Sequence, residues 1–178
     1  VSQSQINEIL VREASAGRNV VRIKGGDPFV LGRGGEEALE CLAAGISVEI
    51  VPGITSAIAV PAAAGIPVTH RGLTSTFIVA SAHEGPDGVL AAVSDAPHSS
   101  TLILLMGAGK LPSIAAALLA TGRVPETPVA IVESGWTANQ RTTITSLGEA
   151  ETGTVRVQPP AVVVIGDVVR LRDQLGDL

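Results

Sequence analysis

Residues 24–37, KGGDPFVLGRGGEE, hold the densest group of chemistry-capable residues in the chain. They follow NVVRI (19–23), a β-branched run of the kind that forms a buried strand, and they precede an apolar pattern at helical spacing. The chemistry is therefore expected on a strand-to-helix loop. In open parallel sheets such loops leave the carboxyl ends of strands, where the crevice for a ligand lies. Gly25 and Gly26 permit backbone conformations closed to other residues and let a ligand approach the main chain without meeting a Cβ. Asp27, held before Pro28, adds a carboxylate to the same space. By itself GGDP is equally consistent with a tight turn and nothing more. It is not a phosphate loop, because no GxxxxGK followed by Ser or Thr occurs, and the GxGxxG spacing is absent here. Glu36 and Glu37 suit the positive end of the next helix.

Positioning that loop requires flanking elements, and the pattern supplies them. Ile6, Ile9 and Leu10 share one helical face and Gly17 stops that helix. A helix over 36–44 ends at Gly45, and SVEIV (47–51) is the next strand, which makes a βαβ unit with parallel strands. A doubly wound unit normally has earlier strands, so upstream residues are expected. A second strand-to-helix loop follows at VPGITSA (51–57). Thr55 and Ser56 either cap the helix running to Ala64 or join the first loop in a shared site. Proline and glycine in AGIPVTHRG (64–72) place a boundary between an N-terminal domain, 1–71, and a C-terminal domain, 72–178. His70 and Arg71 are either exposed and inert, or face the interdomain cleft, where they would suit an anionic substrate.

Beyond the boundary, TFIVA (76–80), TLILLM (101–106), PVAIVE (128–133) and PAVVVIG (160–166) read as strands, and QRTTIT (140–145) as an edge strand or hairpin arm. Ile114, Leu118 and Leu119 stripe a helix between Pro112 and Gly122, and Val168, Val169 and Leu171 mark a final helix. His83 lies in a polar stretch with GPDG (85–88), without metal-ligand spacing around it.

Composition bounds the function classes. The 178 residues suffice for one domain or two small ones. The hydrophobic fraction is 46%, yet no apolar run approaches the roughly 18 residues of a membrane span. Twelve basic against seventeen acidic residues give a net charge of −5 without a Lys/Arg cluster, which argues against a nucleic-acid partner. Cys41 is the only cysteine, so an intrachain disulfide and a cysteine-rich metal site are excluded, and no secretory segment is visible; a cytoplasmic protein is expected.

Taken in order, VVRIKGGDPFVLGRGGEE, VPGITSA, AGIPVTHRG, LLMG, TPVAIVESG and PAVVVIGDVVRLR resemble the tetrapyrrole methylase family, and within it the uroporphyrinogen-III C-methyltransferase branch. The resemblance implies two small α/β domains, with a parallel sheet in the first and a mixed sheet in the second, in a homodimer. It also implies S-adenosylmethionine bound between the domains and released as S-adenosylhomocysteine. Carried across position by position, the cofactor contacts would be Gly25, Gly26, Asp27 and Val30 in the first loop, Thr55 and Ser56 in the second, and Met106, Gly135 and Ala161 beyond the boundary. Met106 after an apolar run is otherwise ordinary core filler. The implied reaction methylates uroporphyrinogen III at two pyrrole carbons, C2 and C7, to precorrin-2 by way of precorrin-1, with no metal. Arg33, His70 and Arg71 are the expected partners of its carboxylates. The family's N-terminal GxGPGD-type loop, and the upstream Asp and Lys with acid/base roles, have no counterpart in these residues, so no catalytic residue is assigned. The alternatives are another precorrin or cobalt-precorrin methyltransferase, or a non-catalytic binding or dimerisation fragment of the same fold.

Overall fold

Apolar runs that continue without alternation belong to strands covered on both faces, and the central strands of the computed structural model, which describes residues 1–177, show this directly. The chain divides into two compact units, Val1–Thr55 and Ser56–Leu178.

In the second unit, strands β1 (Phe77–Ser81), β2 (Thr101–Leu105), β3 (Pro128–Glu133), β4 (Arg141–Ser146) and β5 (Ala161–Ile165) form one sheet in the order β1-β2-β5-β3-β4. β1 and β2 run parallel and every other pairing is antiparallel, which is the mixed sheet expected of this half. Every residue of β2 and β3 is buried. On one face Leu102, Leu104, Ile131 and Val163 meet Val89 of helix α4 (Pro86–Val93), Ile114 and Leu118 of α5 (Leu111–Ala120) and Leu147 of α6 (Leu147–Glu151). On the other, Ile103, Ala130, Val132 and Val164 meet Ala57 of α3 (Ser56–Ala63), Ala64, Ile66 and Val168. Each fully buried Ile or Leu stabilises the unit by roughly 1.5–3 kcal/mol. Because α3 and the residues after it are part of this core, residues 56–71 fold with the second unit, and the compact units meet after Thr55 rather than after Arg71. Helices α4 and α6 are additions to the sequence reading: Pro86 at the first turn and a capping box of Ser146 with Glu149 start them. The final apolar stripe forms a 3-10 turn, Asp167–Leu171, before a short helix, Arg172–Leu175.

In the first unit both expected helices form and stop at the glycines expected to end them, the second starting two residues earlier than its predicted Glu36. A capping box of Ser2 with Gln5 starts α1 (Gln3–Ser15), and the left-handed Gly17 closes it. α2 (Gly34–Ala43) likewise ends before the left-handed Gly45. The two runs expected as parallel strands, 19–23 and 47–51, do not form them. β-branched residues favour an extended chain, but a strand also needs a neighbour for its N–H and C=O groups. Among the described residues no ladder joins these runs, and Val21, Ile23 and Val51 are exposed.

Glu37 holds this unit together. The residue is 5% exposed. It receives Lys24 Nζ at 3.0 and 2.9 Å, Arg22 Nε at 3.3 Å and Gln3 Nε2 at 3.0 Å. Burial works to raise its pKa, but the hydrogen bonds from Gln3 and Lys24 and the charges of Lys24 and Arg22 prevail and hold it below the usual carboxylate value. The carboxylate thus ties α1, α2 and the residues leading into the glycine loop. Glu37→Gln is expected to lower stability by about 2 kcal/mol in urea denaturation, less than a fully enclosed pair because Arg22 is half-exposed. With a depressed native pKa, the stabilisation is complete above the ordinary value of 4.5 and is lost as pH falls through the native pKa. The variant should therefore show a flatter acid limb than the parent protein.

Candidate functional site

The first unit brings its two glycine bends into direct contact. Asp27 accepts the Phe29 N–H at 2.8 Å on one oxygen and the Gly53 N–H at 3.1 Å on the other. Those two hydrogen bonds, led by that of Phe29 and joined by a pull from the Val30 N–H, keep the Asp27 carboxyl below its usual pKa. A Cβ on Gly53 would lie 2.4 Å from the Gly26 carbonyl oxygen, so only glycine permits this approach. Gly26 itself has φ 147°, a region that L side chains rarely adopt. Downstream, the Gly34 N–H donates to the Pro28 carbonyl at 2.9 Å and folds the RGG segment back over the bend. Leu31 and Arg33 take positive φ there, 51° and 58°. Gly25, Gly26, Asp27 and Val30 thus form one bend, with Gly53 seated against it. Arg33 is committed locally, its guanidinium gripping Glu36 at 2.9 and 2.6 Å.

In the second unit, three of the expected contact positions gather at one end of the sheet's central strands. Met106 follows the last residue of β2, Ala161 opens β5 opposite Glu133, and Gly135 lies two residues beyond the end of β3. The antiparallel register brings these ends together, and the Ser134 N–H donates to the Pro160 carbonyl at 2.9 Å. Met106 is exposed rather than core filler, and Met106, Ser134 and Trp136 all have left-handed φ, 60°, 49° and 61°. Non-glycine residues in that region cost of order 1–3 kcal/mol each and cluster at functional sites. Ser56 starts α3, and α3 packs on the Gly135 turn: a Cβ on Gly135 would fall 2.7 Å from Val60 Cγ1. His70 and Arg71 stand exposed on a bend closed by hydrogen bonds between His70 and Thr74.

Several residues that shape these bends are not singled out by the sequence pattern. Gly53 was visible only as part of a proline-glycine turn, and its contact with Gly26 is tertiary. Glu133, 5% exposed, accepts Arg141 Nε and the Gln158 N–H, both at 2.5 Å, and so fixes the segment that enters β5. The Arg141 hydrogen bond, then the Gln158 N–H, outweigh burial and hold the Glu133 carboxyl below its ordinary pKa. The signal for that pair was cross-strand charge complementarity, since Glu133 and Arg141 are directly opposed in the β3–β4 register. Among the described residues no group of three or more His, Cys, Asp or Glu side chains is placed to hold a metal ion, and no helix is long and apolar enough to cross a membrane.

Residues 1–151 match the family model described as Tetrapyrrole (Corrin/Porphyrin) Methylases. The chain belongs to this family. Among its relatives, the S-adenosyl-L-methionine-dependent uroporphyrinogen III methyltransferase of Methanosarcina barkeri is 48% identical over 99% of this chain and 71% of its own. The sirohaem synthase of Edwardsiella ictaluri is 43% identical over 99% of this chain but only 38% of its own length. A crystal structure of uroporphyrin-III C-methyl transferase from Thermus thermophilus, complexed with S-adenosylhomocysteine, superimposes with a TM-score of 0.83 at 43% identity, covering 95% of this chain and 75% of that one. The α/β methylase fold with its mixed sheet is therefore shared with these proteins.

If Asp27 holds the two bends of this methylase together, Asp27→Ala should expose the amides it caps. Hydrogen exchange at Phe29 and Gly53 is expected to accelerate about tenfold or more while amides of β2 and β3 keep their protection. Unchanged protection at Gly53 would show that the carboxylate does not hold the second bend.

Proposed function

We propose that the chain is an S-adenosylmethionine-dependent C-methyltransferase acting on uroporphyrinogen III at C2 and C7, giving precorrin-2 by way of precorrin-1 on the route to sirohaem and cobalamin. The observation that carries this reading is the similarity, over nearly every residue of the chain, to relatives named as uroporphyrinogen III methyltransferases, one of them S-adenosyl-L-methionine-dependent.

The residues present fit the cofactor. An amino-acid and nucleoside ligand needs main-chain N–H and C=O groups that it can reach without meeting side chains, and the Gly26 and Gly53 bends are places where a Cβ is strained or excluded. The proposed contacts are Gly25, Gly26, Asp27, Val30 and Thr55 in the first unit, and Ser56, Met106, Gly135 and Ala161 in the second. When bound, the cofactor supplies a methyl group already activated by its sulfonium. The demand on the protein is then positional: bring a pyrrole carbon into line with that methyl and keep water away. Asp27, ionised at neutral pH and bonded to Phe29 and Gly53, keeps the bends in one geometry. Arg33, His70 and Arg71 are the proposed partners of the substrate's carboxylates, Arg33 by exchanging Glu36 for a substrate group. In this reading the protein works in the cytoplasm as a homodimer.

The test is incubation of the full-length protein with uroporphyrinogen III and methyl-labelled S-adenosylmethionine. Two labelled methyl groups per tetrapyrrole, in a product with the absorption of precorrin-2, are expected. Label confined to a different precorrin substrate would reassign the reaction within the family. Absence of label from every tetrapyrrole, with calorimetry showing no S-adenosylhomocysteine binding, would overturn the methyltransferase reading.

A further inference from the structure

Trp136 is the sole tryptophan of the chain, it is 65% exposed, and it sits at φ 61°, between the turn residue Gly135 and the mostly polar residues 137–140. A large residue in left-handed backbone, with its ring mostly in solvent, is unfavourable on both counts and persists only where something else fixes it. What fixes it is α3. The indole N–H donates to the Ala59 carbonyl at 2.6 Å, in the middle of that helix. Gln140 completes the clamp: its amide oxygen accepts the Trp136 N–H at 2.9 Å, while its amide nitrogen donates to the Ala63 carbonyl at 3.3 Å. Thr137 Oγ1 closes the turn on the Ser134 carbonyl at 2.7 Å. Between these anchors Gly135 presses on Val60 so closely that a Cβ would overlap it.

The helix needs such help. Pro61 stands inside α3 and removes one rung of its ladder, and the helix has only eight residues. Its first residue, Ser56, and the turn residue Gly135 are both proposed cofactor contacts, and the clamp is what sets one against the other.

The geometry points to Trp136 as a positioning residue for the methyl donor: acting through the Ala59 carbonyl, it holds the start of α3 and the Gly135 turn in the one arrangement that binds cofactor. This rests on the methyltransferase reading above. The ring need not touch the cofactor; its N–H sets the spacing of groups that do.

The experiment compares the full-length protein with Trp136→Phe, which keeps an aromatic ring and loses the N–H. Calorimetric titration with S-adenosylhomocysteine comes first on the parent protein. Failure to bind there removes the methyltransferase reading itself. Given binding, the parent's single-tryptophan emission should shift along the same saturation curve, and Trp136→Phe should weaken affinity about fivefold, the worth of one hydrogen bond. It should raise KM for S-adenosylmethionine more than it lowers kcat, with the melting midpoint near that of the parent. Trp136→Ala, checked for an intact fold by circular dichroism, should weaken binding further. Parent-like affinity in Trp136→Phe would overturn the positioning role and leave the methyltransferase reading standing.

Discussion

Asp27 joins two stretches of main chain that are 26 residues apart, accepting one N–H from its own bend and one from the Gly53 bend, and both bends of the first unit owe their geometry to it. A carboxylate suits the task because ionised acceptors form stronger hydrogen bonds than neutral ones and offer two oxygens for two donors. The same hydrogen bonds lower its pKa from the ordinary aspartate value and so extend its charged form toward more acid pH. Gly53 makes the contact sterically possible, and Glu37, gathering Lys24, Arg22 and Gln3, fixes the segment from which the first bend springs.

The second unit reaches a comparable precision by other means. Its sheet is a packed core, buried on both faces, and the bends at the ends of its central strands inherit their positions from strand register. Rigid strands can impose strained backbone on the residues just past their ends, and Met106, Ser134 and Trp136 carry that strain. Glu133 plays the part here that Asp27 plays in the first unit, a carboxylate bonded to a main-chain N–H and to a neighbouring strand.

Much of this was legible from the residues. Continuous apolar runs located β2, β3 and β5, and apolar helical spacing ended by glycine located α1, α2 and α5, because these signals are local and their physical causes act within one element. The runs at 19–23 and 47–51 mislead for the complementary reason: β-branched composition reports a preference, whereas a ladder is a property of two partners. The change of boundary from residue 71 to 55 has a similar origin. Gly65 and Pro67 do punctuate the chain, but the burial of Ala57, Ala64 and Ile66 under the sheet decides which unit owns α3. At the candidate site the glycines and Asp27 stand out in sequence, while the bond from Gly53, the burial of Glu37 and the reach of Trp136 to Ala59 join residues far apart and leave no periodic trace.

The long separation between Asp27 and Gly53 bears on how this region is assembled. Their hydrogen bond closes a loop that contains all of α2, and loop closure must be entropically affordable before the bond can form. A helix already in place shortens the chain to be closed, so α2 lowers the entropic cost of joining the bends. A junction made by two hydrogen bonds to a half-buried carboxylate, outside any packed core, costs less to open than a strand buried on both faces. The bends are thereby able to breathe while the sheet of the other unit stays shut.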